Sequence, residues 1–475
     1  MKFKYLQKEE GNTRLILVFA GWSTQPHDYE AMRREGWDLL VAYDYDNLGV
    51  DLSFLNEYYT IYLFAWSLGI FCAEMVLPAE RITQAFALNG TPQPVSNLYG
   101  IPEDIYSGTA RGLDERNLKK FRLRMMPDKE TFLRFFGDAD SEPDDIESLR
   151  NQLYAISEAA RKDSEKLAGV IEMREAARLP WVRAYLSKGD RIFPYESMKR
   201  YWEGECETEI VSLDGAHYYP LELISRSVIP DTRKVSERFS KAWGSYDTHA
   251  IAQHSAAARL ALMLADYTPE KGGRVLEIGC GSGLFTREYN AILEPAEAVF
   301  IDIAECGPFG ICAEERYVKG DAERWMEENA GKKKFDCILS ASAIQWFSDL
   351  PRFLHNCSRM LNEGGIFAAS TFTPGNMAEL NELRPSPLIY PKAESMREWL
   401  ERDFADVMVE EDIIRVEFRS AREMLMHLKH TGVAGSAPGT GLPLSAMSHL
   451  RTLSYCPLYL LGRKQKNITA WRVAD

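Results

Sequence analysis

The chain has 475 residues, 45% of them hydrophobic and 27% charged, with a formal net charge of -14. That length exceeds what one hydrophobic core usually serves, so two domains are expected. The composition excludes a disordered or collagen-like chain, and the acidic balance speaks against a nucleic-acid partner, because phosphate binding depends on clustered Lys and Arg. The opening MKFKYLQKEEGNTR has no apolar targeting core and no later run reaches bilayer length, so a cytoplasmic protein with no membrane partner is expected. Eight cysteines are scattered without a CxxC pair, which suggests neither a disulfide framework nor a metal site.

Four short apolar, β-rich runs come first: LILVFA (15–20), LLVAYD (39–44), TIYLFAW (60–66) and TQAFALN (83–89). They predict a parallel sheet buried on both faces. The charged, helical stretch 92–180 is too long for a loop and predicts an inserted helical lid. Two more strand candidates follow, WVRAYLSKG (181–189) and TEIVSLDG (208–215). A second α/β series then runs through RVLEIGCG (274–281), AVFIDI (298–303), FDCILSAS (335–342) and GGIFAASTF (364–372). Pro230 interrupts helix beside the charged DTRK stretch, which places the expected division between domains 1–228 and 229–475.

The segment FAWSLGIF (64–71) ends a predicted strand on a serine and a glycine. Ser67 is either a helix N-cap or a nucleophile at a sharp strand-to-helix turn, with Ala65 and Gly69 in the small positions of G-x-S-x-G. A serine hydroxyl needs a histidine to take its proton and a carboxylate to fix that histidine's tautomer. Asp190 follows the WVRAYL strand and His217 follows the IVSL strand, in the order Ser, Asp, His and at the edge where open α/β sheets place ligands. FAGW (19–22) follows the first strong strand, so the backbone amides of Trp22 and Leu68 are the candidate oxyanion donors.

FAGW, AWSLG and GAHYYP resemble the small α/β-hydrolase esterases called BioG, which cleave the methyl ester of pimeloyl-acyl carrier protein in biotin synthesis. The likeness covers nearly all of residues 1–228 and implies a triad of Ser67, Asp190 and His217 that needs no cofactor.

VLEIGCGSGLF (275–285) is a strand ending in a glycine loop that opens a helix. Its G-x-G-x-G spacing, Gly279, Gly281 and Gly283 with Glu277 two residues earlier, fits S-adenosylmethionine better than a dinucleotide. Asp302 ends the next strand, placed to accept both ribose hydroxyls, and Asp321 in GDAERW is placed to accept the adenine amino group; a surface carboxylate and a helix N-cap are their plainer meanings. The domain resembles class I methyltransferases with a Rossmann-like sheet, which adds Ala322 and Ser340 to the expected cofactor residues. FSKAWGSYDTHAIAQ (239–253), SASAIQWFSDL (340–350), TFTPGNMAEL (371–380) and LKHTGVAGS (428–436) resemble the malonyl-acyl carrier protein O-methyltransferases called BioC. That likeness implies a substrate pocket at Tyr246, Gln345 and Trp346.

Together the two resemblances imply a methyltransferase and an esterase acting on malonyl-carrier and on pimeloyl methyl ester-carrier. The basic segment 110–127, with Arg122 and Arg124, is a candidate docking face for the acidic carrier. Two other functions stay open at this point: a methyltransferase fused to a non-catalytic hydrolase-fold platform, and a pair of enzymes acting on free small carboxylic acids.

Overall fold

The computed structural model describes all residues except 138–144, 170–178, 206, 268, 384–385, 387, 432–444 and 466–475, together with all side chains there except those of 164–169 and 242–245. Parts of the expected lid, and LKHTGVAGS beyond Thr431, therefore lie outside the described residues. The chain divides into two compact units, Met1–Ser225 and Arg226–Asp475.

In the first unit, β1 (Lys2–Gln7), β2 (Arg14–Phe19), β3 (Asp38–Tyr43) and β4 (Thr60–Trp66) lead into helix α1 (Leu68–Val76) and β5 (Gln84–Leu88). Helices α2 (Glu103–Arg111), α3 (Glu115–Met125), α4 (Lys129–Phe136) and α5 (Ile146–Gly169) occupy the inserted stretch. After it come β6 (Trp181–Ser187), α6 (Tyr195–Glu203), β7 (Glu209–Leu213) and α7 (Leu221–Val228). The sheet order is β1-β3-β2-β4-β5-β6-β7. All of β4 and all but the first residue of β2 are buried, as continuous apolar runs in a two-sided core require. The sheet is not wholly parallel: β1 pairs antiparallel with β3. Its alternating exposure, an edge-strand pattern, carries no continuous apolar run.

Asp114 and Asp128 begin α3 and α4 by accepting from the backbone amides of Asn117 and Thr131, each at 2.7 Å. Arg122 of α3 departs from its expected role. It is buried, donates from Nη2 to the Ser23 carbonyl at 3.0 Å and lies 4.2 Å over the Phe136 ring. A docking face cannot use it; Arg124, exposed on the same helix, is still available.

The second unit opens with α8 (Thr232–His249) and α9 (Ile251–Asp266), then β8 (Arg274–Ile278), α10 (Leu284–Leu293), β9 (Glu297–Asp302), β10 (Glu314–Lys319), α11 (Ala322–Asn329) and β11 (Phe335–Ala341). It continues through α12 (Leu350–Met360), β12 (Leu361–Phe372), α13 (Ala378–Asn381), α14 (Ala393–Glu401), β13 (Phe404–Glu411), β14 (Ile414–Glu417), α15 (Ala421–His430), β15 (Thr452–Tyr455) and β16 (Pro457–Lys464). Its main sheet runs β10-β9-β8-β11-β12-β16-β13, with β16 antiparallel to both neighbours. Among the described residues no helix is long and apolar enough to cross a membrane.

Candidate active sites

Fully buried β4 delivers Ser67 to the end of the first sheet, and α1 starts at the next residue. Ser67 holds φ 59° and ψ -128°, a conformation that costs a non-glycine residue free energy and recurs at strand-to-helix nucleophile turns. Gly69 permits the turn, because a Cβ there would lie 2.5 Å from the Phe19 carbonyl oxygen. Ser67 stands at the N-cap position, yet its hydroxyl caps nothing. It lies 2.9 Å from His217 Nε2 instead. His217 Nδ1 lies 2.7 Å from Asp190 Oδ2, and Asp190 Oδ1 accepts from the amides of Ile192 and Phe193 at 2.7 and 2.9 Å. The side chains of both His217 and Asp190 are almost wholly buried.

Asn89, which the sequence reading passed over, holds the histidine's main chain. Its Nδ2 donates to the His217 carbonyl at 2.7 Å and to Ser187 Oγ at 2.9 Å, and its Oδ1 accepts from the Ser187 amide at 2.7 Å. The Trp66 indole donates to the same His217 carbonyl at 3.0 Å. A buried asparagine at the end of the TQAFALN run was the available signal.

The candidate oxyanion residues Trp22 and Leu68 line one small cavity with Ser67. Leu68, as first residue of α1, has an amide without an intrahelical acceptor. The loop carrying Trp22 is fixed by the Gly21 amide donating to Tyr29 Oη at 3.1 Å and by Thr24 Oγ1 donating to the Gly21 carbonyl at 2.7 Å. The rest of the cavity wall comes largely from the inserted helices and nearby loops: Ile105, Tyr106, Phe121 and Leu153 are apolar, with Arg124 and Arg191 beside them.

In the second unit a larger cavity is lined by Glu277, Gly279, Gly281, Asp302, Asp321 and Ala322, among other residues. Gly279 takes φ 70°, and a Cβ there would stand 2.2 Å from that of Ala343. The Gly281 amide donates to Asp302 Oδ2 at 2.9 Å, and the Ala304 amide to Oδ1 at 2.8 Å, so the loop and the carboxylate fix each other. Burial raises the Asp302 carboxyl above its usual range. It pushes Glu277 up to about 7, although Thr286 and Tyr289 donate to its Oε2 at 2.6 and 2.7 Å. Asp321 caps α11, accepting from the Glu323 amide at 2.9 Å, and also lines the cavity.

Two expected cofactor residues stand elsewhere. Gly283 caps α10 and backs onto the Phe309 ring, which a Cβ would meet at 2.6 Å. Ser340 is fully buried and donates to the Ile278 carbonyl at 2.8 Å, tying β11 to β8. Tyr246 and Trp346 line the large cavity, and with Gln345 they also line a smaller one that includes Gln253, Asn376, Tyr390 and Tyr455. Among the described residues no cluster of three or more His, Cys, Asp or Glu could hold a metal, and seven described cysteines are free thiols.

These features define a two-unit α/β protein with a methyltransferase domain in its second half: residues 248–427 match a methyltransferase domain model, while residues 1–226 match the model of pimeloyl-ACP methyl esterase BioG. A malonyl-[acyl-carrier protein] O-methyltransferase of Bacteroides fragilis is 30% identical over 479 residues, covering 95% of this chain and 93% of that protein. One from Porphyromonas gingivalis is 33% identical over 49% of this chain and 96% of its own length. The crystal structure of BioG from Haemophilus influenzae is similar at 32% identity and TM-score 0.40, over 46% of this chain and 94% of that one. The chain belongs to the malonyl-[acyl-carrier protein] O-methyltransferase family, with a BioG domain in front of the methyltransferase domain.

Replacing Asn89 by Ala removes the acceptor of the Ser187 amide and leaves the His217 carbonyl with the Trp66 indole alone. Urea unfolding of the full chain should show a loss of about 2 kcal/mol for Asn89→Ala, and a stability equal to that of the native chain would refute its holding role.

Proposed function

We propose that the chain is a bifunctional enzyme of biotin-precursor synthesis. The second unit transfers the methyl of S-adenosylmethionine to the free carboxyl of a malonyl group on acyl carrier protein. The first, an α/β-hydrolase with a helical lid, hydrolyses the methyl ester of pimeloyl-acyl carrier protein after elongation. The observation that carries this reading is the hydrogen-bonded series Asp190, His217, Ser67 opening on an apolar cavity, in a chain whose other half is a methyltransferase domain.

In the hydrolysis, Ser67 Oγ attacks the ester carbonyl as His217 Nε2 takes its proton. Asp190 accepts from Nδ1–H, keeping the imidazole in the tautomer that leaves Nε2 free to do so. The amides of Trp22 and Leu68 donate to the developing oxyanion. His217 gives the proton to the departing methanol, then takes one from the water that attacks the acyl group and passes it to Ser67 Oγ as the acid leaves.

The lining of the larger cavity fits a cationic ligand that carries a diol: Glu277, Asp302 and Asp321 face it together, and burial holds the first two above their usual range. When bound, S-adenosylmethionine supplies a methyl group activated by its sulfonium. Asp302 would hold the ribose hydroxyls, Asp321 the adenine amino group and Glu277 the cationic end. A malonyl carboxylate is already ionised at neutral pH, so the task left to the substrate pocket of Tyr246, Gln345 and Trp346 is to hold the substrate so that its carboxylate is desolvated and aligned; no general base is required.

Three outcomes test this reading. Incubated with labelled S-adenosylmethionine and malonyl-carrier, the protein should form a carrier methyl ester; given pimeloyl methyl ester-carrier it should release methanol, and much more slowly from the malonyl ester. Ser67→Ala should lower methanol release roughly a thousandfold or more while ester formation continues, and methanol release at the native rate would leave Ser67 a bystander. Arg124→Glu should raise the Michaelis constant for carrier-bound ester several-fold more than that for a small methyl ester; equal changes would remove Arg124 from docking.

A further outcome concerns pH. With Glu277 near 7 in the folded chain against an ordinary glutamate value of 4.5, the native state holds a proton that the unfolded chain has released between those values. The group's contribution to stability without ligand therefore falls as pH rises through that window. A cation binds the ionised form, so affinity for S-adenosylmethionine should rise roughly tenfold from pH 6 to pH 8 by that ionisation alone. Calorimetry on Glu277→Gln should show a flatter profile; an identical slope would assign the dependence to Asp302 or another group.

A further inference from the structure

Three residues that line the smaller cavity of the second unit each carry a side-chain polar atom that is shielded from water and unpaired among the described residues: Gln253 Oε1, Gln345 Oε1 and Trp346 Nε1. Polar atoms buried without partners are costly, and three around one cavity point to a ligand that completes them. The cavity shares Phe239, Tyr246, Gln253, Ser342 and Trp346 with the larger one, so it continues from the proposed methyl-donor site.

The character of two of these atoms is fixed. Gln345 Nε2 donates to the Ser342 carbonyl at 2.6 Å, which leaves Oε1 as an acceptor only. The Trp346 indole nitrogen can only donate, and its ring is packed edge-on by Phe239 at 6.2 Å between centroids. The two residues are neighbours in the single 3₁₀ turn Ile344–Trp346. A carboxylate, which only accepts, would satisfy Trp346 but face the bare Gln345 oxygen. A secondary amide lying between them has one N–H for Gln345 and one C=O for Trp346.

Acyl groups on carrier proteins and on coenzyme A are thioesters of a pantetheine arm, whose nearest secondary amide lies two carbons from the sulfur. We propose that Gln345 and Trp346 recognise that amide, and so select an acyl thioester on a pantetheine arm over a free acid. The choice of substrate rests on the methyl transfer proposed above, with the carboxyl end lying toward the shared part of the two cavities.

The test uses the full-length protein with S-adenosylhomocysteine bound and two malonyl thioesters of equal length: that of N-acetylcysteamine, which has one secondary amide, and that of an n-alkyl thiol, which has none. NMR titration should give a dissociation constant at least tenfold lower for the amide-bearing compound. Gln345→Leu and Trp346→Phe should each bring the two constants within about threefold, and Gln345→Glu, which keeps an acceptor, should restore most of the preference. Equal affinities in the native protein, or a preference that survives in Gln345→Leu, would overturn the assignment. A preserved preference without methyl transfer to either thioester when S-adenosylmethionine is supplied would instead sink the proposed reaction and leave the amide recognition standing.

Discussion

The bond between His217 and Ser67 depends on where the main chain at residue 217 is held, and that is decided by the edge of one sheet. Strands β4, β5, β6 and β7 are successive parallel neighbours. Past their carboxyl ends come Ser67, Asn89, then Ser187 and Asp190, and finally His217. Each strand thus supplies at least one member of a hydrogen-bonded set, β6 supplying both Ser187 and Asp190, with Asn89 joining the end of β6 to the His217 loop at their backbones. The imidazole is therefore fixed at both ends, its ring by Ser67 and Asp190 and its carbonyl by Asn89 and Trp66. Strain at Ser67 persists because β4 and the first six residues of α1 are buried and over-determine the turn between them.

The second unit repeats the arrangement with different chemistry. Strands β10, β9, β8 and β11 are again successive neighbours, and their carboxyl ends carry Gly320 and Asp321, Asp302, the loop of Gly279 and Gly281, and Ala341 to Ala343. Here the edge gathers carboxylates and glycine backbone where the first unit gathers a hydrogen-bonded serine, histidine and aspartate. Two buried carboxyls raised above their usual range mark that edge as one where burial disfavours the charged form, whereas the hydrogen-bonded series of the first unit is complete within the chain.

Most strands legible from the amino acids were those buried on both faces, which read as unbroken apolar runs; β7, EIVSL, was read from its β-branched residues although only Val211 in it is buried. β1 and β10, KFKYLQ and EERYVK, alternate or are half exposed and left no such run. β16, PLYLLGRK, is apolar, but no glycine loop or motif beside it marked it as part of the sheet, and its antiparallel insertion between β12 and β13 depends on long-range pairing. At the sites, residues tied to a strand end were read where the structure puts them. Ser340 and Gly283 were not: spacing along the chain says nothing about which face of a strand or turn a side chain takes. Arg122 is the same failure on a helix, a charge in a basic run that turns inward to an aromatic ring and a carbonyl.

In the proposed pair of reactions the esterase must leave the malonyl ester alone and act on the pimeloyl one. Both present the same methyl ester, so the discrimination has to come from the chain between ester and carrier. The wall that Ile105, Tyr106, Phe121 and Leu153 place beside Ser67 is apolar and suited to burying methylenes. Four additional methylenes at about 0.8 kcal/mol each amount to roughly 3 kcal/mol, a preference on the order of a hundredfold. That is enough to spare an ester which elongation consumes promptly, and too little to protect one left waiting. Esterification hides a charge that would be costly in the apolar sites of chain extension, so the lid's selectivity and the speed of elongation together set how long the mask stays in place.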